Sequence, residues 1–216
     1  MQKLYLKYPE INEIKANIVS RRVQDNNTQI ILDKTIFMPK SAHLLADRGY
    51  ISDMKIISID EKRDNIIHLV EGKPNKSEVT LKLDMNNRIK NLSYNTAYII
   101  FKILMQSQYN FKELKLVLNE DRAIIKITDL YVTIDLSSLE NQVNFIIERS
   151  MKIDNNQGIT NIAPLGEVIN NDICFDNSAK VRGFKITDVE SFGPDLEIEF
   201  LTGLDILNAN DNFNLS

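Results

Sequence analysis

The sequence predicts an α+β protein in two parts: a small β-barrel over residues 1–88, then an α/β sandwich, a sheet with helices on one face, over residues 89–207. Three observations predict it. The first 88 residues carry short Ile- and Val-rich runs at regular intervals, separated by turn residues. Residues 91–105 form one stretch with almost no polar face. The remainder mixes alternating apolar and polar runs with an apolar stripe at helical spacing.

Taken in order, the first strands fall at 14–22, 28–32, 54–59, 65–69 and 79–83. Asp25-Asn26-Asn27, Ser52-Asp53 and Glu71-Gly72-Lys73-Pro74 break them, because these residues tolerate or favour turn dihedrals. Asp47-Arg48-Gly49 reads as a further turn, with Gly49 supplying a positive φ. His43 reads as a loop histidine and His68, inside Ile66-Ile67-His68-Leu69-Val70, as a residue at the edge of the core. The polar stretch Asp84-Met85-Asn86-Asn87-Arg88 marks the boundary between the two parts. Ser93 is placed to cap a helix through Met105. In that helix Asn95 is the amide side chain amid Tyr94, Ala97, Tyr98, Ile99, Ile100 and Phe101.

Strands then follow at 114–118, 123–128 and 132–136, the last from the alternation of Val132, Ile134 and Leu136 with Thr133 and Asp135. Ser137 with Glu140 has the capping-box pattern and opens a second helix. Its stripe is Leu139, Val143, Ile146, Ile147 and Met151, and Asp154-Asn155-Asn156-Gln157-Gly158 ends it. Two more strands are expected near 181–189 and 196–201, with Leu196, Ile198 and Phe200 facing in and Glu197 and Glu199 facing out. Residues 208–216 read as a polar, frayed tail.

The chain has 216 residues, a net charge of −4, a pI near 5.3 and one cysteine. The acidic balance argues against binding nucleic acid by bulk charge. A lone cysteine excludes an internal disulfide and fits a reducing, cytoplasmic setting. No run of about 18 apolar residues suggests a membrane span, and the N-terminus lacks a signal-type apolar core. Beyond carboxylates, Cys174, His43 and His68 are the available metal donors. No Gly-rich phosphate loop or nucleophile elbow is present.

Three stretches carry a family resemblance. They are Leu32-Asp33-Lys34-Thr35-Ile36-Phe37-Met38-Pro39 with Asp47-Arg48-Gly49-Tyr50-Ile51 and Ile67-His68-Leu69-Val70-Glu71-Gly72; Tyr131-Val132-Thr133-Ile134-Asp135-Leu136; and Phe184-Lys185-Ile186-Thr187-Asp188-Val189-Glu190-Ser191 with Glu197-Ile198-Glu199-Phe200-Leu201-Thr202-Gly203. In this order and spacing they resemble the freestanding alanyl-tRNA editing proteins of the AlaX type, and the editing domains of alanyl- and threonyl-tRNA synthetases. The resemblance implies a small barrel followed by an editing-type domain. It also implies hydrolysis of the ester of a mischarged tRNA at a zinc held by a helical His-x-x-x-His and a later Cys-x-x-x-His.

Those motifs fall on Asn95-Thr96-Ala97-Tyr98-Ile99 and Cys174-Phe175-Asp176-Asn177-Ser178. Of the four ligand positions, Asn95, Ile99, Cys174 and Ser178, only Cys174 keeps a family ligand, so neither metal nor cofactor is expected. A Gly-Gly-Gly-Gln segment of the family falls on Ser41-Ala42-His43-Leu44 and is lost.

At the residue level the alternatives stay open. Asn95 reads as an amide at the floor of the old pocket or as a buried Asn bonded to backbone. Ile99 reads as core. Cys174 reads as a nucleophile or, with no His or Lys beside it, as a small buried hydrophobe. Asp176 and Ser178 read as the mouth of a remnant cleft or as a solvated turn. Lys180, Arg182 and Lys185 form a candidate RNA patch. The functional expectation is a zinc-free binding protein or pseudoenzyme that takes a tRNA acceptor end or an aminoacyl-like small molecule. A metal-independent aminoacyl-tRNA deacylase is the alternative, and an interaction module, a homodimer through the barrel, is a third reading.

Overall fold

A computed structural model of the chain describes residues 1–156 and 158–213. It divides into two compact units, Met1–Lys90 and Asn91–Ser216.

The first unit contains β1 (Gln2–Lys3), α1 (Leu4–Lys7), β2 (Glu13–Gln24), β3 (Asn27–Leu32), β4 (Lys34–Thr35), β5 (Gly49–Ile51), β6 (Met54–Lys62), β7 (Asn65–Glu71) and β8 (Glu78–Leu83). Six strands close into a ring in the order β2-β3-β7-β6-β5-β8, each antiparallel to its neighbours. Alternate side chains point inward, as a period of two requires. Ile30, Leu32, Ile51, Ile56, Ile66, Val70, Val79 and Leu81 thereby fill the interior with Ile36 and Phe37. The five expected strands are all present, and β5 was not foreseen. Gly49 is not simply a turn residue: it lies in β5 at φ 153°, where a Cβ would stand 2.1 Å from the Lys82 carbonyl oxygen. Only a residue without a side chain lets β5 approach β8 this closely.

Two polar residues are far more buried than their neighbourhoods suggest. His68 is fully buried rather than at the core edge. Its Nδ1 lies 3.3 Å from the Ile30 carbonyl oxygen and its Nε2 2.9 Å from the Thr35 hydroxyl. A carbonyl can only accept, so Nδ1 carries the proton and Thr35 donates to Nε2, while the same hydroxyl accepts the Phe37 N–H. Asp47 is not a solvated turn residue: it forms a wholly buried ion pair with Arg88. Arg88 also donates to the Ile36 carbonyl at 2.7 Å and to the Pro9 carbonyl. The stretch 84–88 is therefore the start of a helix. Asp84 accepts the Asn86 N–H at 3.0 Å, and α2 (Met85–Gln108) runs on from there. Ser93 consequently lies inside the helix, and its hydroxyl donates to Thr202 Oγ1 at 2.9 Å instead of capping.

The second unit holds the rest of α2, then β9 (Glu113–Leu118), β10 (Ala123–Thr128), α3 (Leu136–Glu148), β11 (Asp154–Asn156), β12 (Ile159–Ile162), β13 (Gly166–Ile169), a 3-10 turn (Ser178–Val181), β14 (Phe184–Phe192), β15 (Asp195–Thr202) and α4 (Leu204–Phe213). A four-stranded antiparallel sheet has the order β14-β15-β10-β9. Ile198 and Phe200 are buried, while Glu197 and Glu199 reach Lys126 and Arg122. Helix α2 is buried on all sides from Asn91 to Phe101, and an aromatic file joins it to the sheet. Phe101 meets Phe184 at 6.0 Å and Phe184 meets Phe200 at 5.1 Å between ring centres, with Tyr94 5.4 Å from Phe200.

Four expectations fail here. Residues 132–136 do not form a strand: Tyr131 and Val132 are exposed, and Asp135 takes the Ser138 N–H to cap α3. A carboxylate two residues ahead of Ser137 supplies the cap first, and Glu140 instead binds Lys185 and the Ile186 N–H. Helix α3 ends at Glu148, so the Asn-rich stretch after it is free to build a three-stranded antiparallel sheet, β11-β12-β13. The expected tail is helical as far as Phe213, and its last residues, 214–216, lie outside the described residues.

Candidate functional site

The four positions that the family resemblance singles out lie on α2 and on the segment after β13. Asn95 and Ile99 are one helical turn apart, fully buried and 1% exposed respectively. The Asn95 amide nitrogen donates to the Ile173 carbonyl at 2.8 Å and to Asn170 Oδ1 at 3.3 Å. One residue on, Thr96 donates to the Leu92 carbonyl and accepts the Phe175 N–H at 2.9 Å. Asn95 and Thr96 together thus seat the segment that bears Cys174 against the helix. The structure brings Asn95 and the Cys174 segment together.

Ser178 faces elsewhere. Its hydroxyl donates to the Ile146 carbonyl and accepts the Met151 N–H, both at 2.8 Å, so it closes the end of α3. It is fully buried and lines no mouth. Asp176 is exposed and pairs with Lys180 at 2.7 Å. Burial pushes the Cys174 thiol up to about 12, against the lowering pull of hydrogen bonds with Thr160 and Asn155. At neutral pH it is a protonated thiol, not a nucleophile. Lys185 pairs with Glu140 at 2.9 Å. Arg182 is exposed at φ 68° and makes no ion pair among the described residues.

Sequence reasoning missed the residues that complete the site. Asn155, Thr160, Asn170 and Asp172 form a polar layer beside Asn95. Thr160 donates to Asn155 Oδ1 at 3.1 Å, and Asn155 donates to the Asp172 carbonyl at 2.9 Å. Asn170 donates to Thr160 and to the Asp172 carbonyl, and its Oδ1 accepts the Asp172 N–H. Asn-rich stretches look like turns in a sequence. The available signal was the alternation in Ile159-Thr160-Asn161-Ile162, where Thr160 and Ile162 turn inward. One atom beside the layer has no hydrogen-bond partner among the described residues: Asn95 Oδ1, wholly buried. Among the described residues, no three His, Cys, Asp or Glu side chains gather as metal ligands, and no helix is long and apolar enough to cross a membrane.

No family model matches the chain. Over 161 residues it is 29% identical to the alanyl-tRNA editing protein AlaX-L of Pyrococcus horikoshii. That match spans 71% of this chain and 40% of the archaeal one. The chain is a relative of the alanyl-tRNA editing proteins. AlaX-M of the same organism is 31% identical over 101 residues, 44% of either chain. The editing protein Aarsd1-A of Xenopus laevis is 24% identical over 117 residues, 53% of this chain and 28% of its own. The chain thus spans less than half the length of each of these relatives.

Proposed function

We propose that this protein is a zinc-free, non-hydrolytic relative of the editing proteins, and that it binds the aminoacyl end of a tRNA or an aminoacyl-like small molecule. The closed six-stranded ring is, on this reading, the small barrel that precedes the editing-type domain. The observation that carries the reading is the commitment of the four side chains at the family's ligand positions. Zinc takes thiolate, imidazole or carboxylate at about 2.0–2.3 Å. Here Ile99 has no lone pair, and Cys174 is the one thiol or imidazole among the four. Ser178 is engaged by Ile146 and Met151, and the Asn95 amide donates to Ile173. These residues do not fit the ion.

Metal analysis of the purified protein together with binding of alanyl-tRNA tests this. The expected result is no bound zinc, a saturable complex and no release of alanine. Stoichiometric zinc, or no complex with any aminoacyl ligand, overturns it. The second reading, a metal-independent deacylase, is favoured by the unpartnered Asn95 oxygen, which could accept a proton-bearing group of the ester or its water. Alanine release that disappears in Asn95→Leu supports that second reading. RNA contacts at Lys180, Arg182 and Lys185 remain part of the proposal, and replacing all three by Ala should lower RNA affinity.

A further inference from the structure

We infer that a groove along α3 is a pocket for an adenine base, stacked on Phe145 and read by the Asn141 carboxamide. The inference deepens the proposed function and rests on it: the base belongs to the RNA end that the protein holds.

The groove has a volume of about 620 Å3, within the range of small-molecule sites. All of its walls belong to the second unit. Leu104, Ile146, Met151 and Leu165 give it an apolar lining. It adjoins the positions that the family resemblance singles out. Leu104 follows Ile99 on α2 by five residues, about 7.5 Å along the helix axis. Ile146 and Met151 are the two residues that bond the Ser178 hydroxyl.

Phe145 also lines the groove and is 53% exposed. A single exposed phenyl is ordinary by itself. Its neighbours are what set this one apart. Arg149, one turn on, places its guanidinium 4.8 Å from the ring centre, and more than half of the phenyl still remains open to a second flat partner. Asn141, one turn back, shares that face of α3 and lines the groove too. Its carboxamide makes no hydrogen bond among the described residues, and neither does the Ser137 hydroxyl beside it. The adjacent amide is already engaged: Gln142 donates to Ser138 Oγ at 3.1 Å and accepts from Gln108 at 2.9 Å.

Charge decides which part of a nucleotide suits this groove. From residue 91 to 216 the chain has ten Lys and Arg against eighteen Asp and Glu, and Asp135 lines the groove itself. A phosphate is repelled by that balance, whereas a neutral base is not. The phenyl face accepts any base, because every base has a flat π-surface. The selective element is the carboxamide. It sets a donor beside an acceptor, which matches the amino group and neighbouring ring nitrogen of adenine. Purine riboside has the same rings and sugar without the amino group, so it forms one of the two bonds.

The test uses the whole protein with adenosine and purine riboside as probes, followed by amide chemical shifts. Adenosine should give saturable shifts at Asn141, Phe145 and Leu165, and bind about tenfold more tightly than purine riboside. Phe145→Ala should weaken both probes about tenfold, and Phe145→Trp should restore them. Asn141→Ala should weaken adenosine alone and bring the two probes level. Both side chains are exposed, and near-ultraviolet circular dichroism confirms that each variant is folded. Equal binding of the two probes, or unchanged binding by Phe145→Ala, overturns the pocket. Equal shifts from cyclohexanol also overturn it and leave a merely apolar groove. Shifts that follow protein concentration with no probe present overturn it in favour of a second copy of the chain. If adenosine fails to bind while alanyl-tRNA still binds, the pocket falls and the proposed function stands. If neither binds, both fall.

Discussion

His68 should make the first unit sensitive to mild acid. Its imidazole is sealed among Ile30, Thr35 and Phe37, and burial lowers its pKa from 6.5 to about 4, with the Ile30 carbonyl pulling the other way. The sign follows from proton counting. Above pH 6.5 the ring is neutral in both folded and unfolded chains, and its full contribution is present. Between pH 6.5 and 4 the unfolded chain takes up a proton that the folded one refuses, so stability falls as pH falls. Below pH 4 the folded ring is protonated too and the loss is complete. A pKa displaced from 6.5 to about 4 corresponds to about 3 kcal/mol, a large part of the stability of an ordinary domain. Urea unfolding at pH 7.0, 5.5 and 4.5 measures it, with His68→Gln as the control that cannot titrate. The carboxylates titrate in both proteins, so the difference isolates the ring. Wild type and His68→Gln losing the same stability over this range would refute the reasoning.

Further outcomes follow from the same packing. Asp47→Asn should cost about 3–5 kcal/mol by stranding the Arg88 guanidinium in the interior, and the double variant Asp47→Asn/Arg88→Met should recover part of it; chemical denaturation reads both. Cys174 in the native protein should react with iodoacetamide at pH 8 at least about a hundredfold more slowly than a free thiol, and at the ordinary rate in denaturant. Gly49→Ala should destabilise the first unit more than an ordinary strand substitution, because the added carbon meets the Lys82 carbonyl and β5 must move away; a thermal melt checks it.

Much of the framework was legible because it rests on periodicity. Strands β2, β3, β6, β7 and β8 and the buried part of α2 announce themselves through apolar spacing alone. What stayed hidden depends on partners distant in the chain. Arg88 looks like part of a polar linker until Asp47, 41 residues away, is brought beside it. Residues 132–136 alternate like a strand, yet no neighbouring strand pairs with them, and Asp135 turns the end of the run into a helix cap. The candidate site divides the same way. The Asn95 and Cys174 positions follow from motif spacing, whereas Thr160 comes from a small sheet, and Asn170 and Asp172 from the segment after it, whose Asn-rich sequence looks like a turn. Ser178 lies where the motif puts a ligand, but its hydroxyl serves the end of α3.

The closure of the ring bears on how copies of this protein could associate. Each of its six strands has a neighbour on both sides, but not along its whole length. β5 spans three residues, so β2 pairs with β3 alone from Ser20 to Gln24, and β6 with β7 alone from Ile56 to Lys62. Those two stretches are where a second copy would add a strand to the ring. In the four-stranded sheet β9 has an open rim, and β14 has one beyond Ile186, since α3 takes the N–H groups of Phe184 and Ile186. Both rims carry charge, through Glu113 and Lys115 on one and Asp188 and Glu190 on the other. Neutralising that charge is the change that should make the protein prone to stack into fibres.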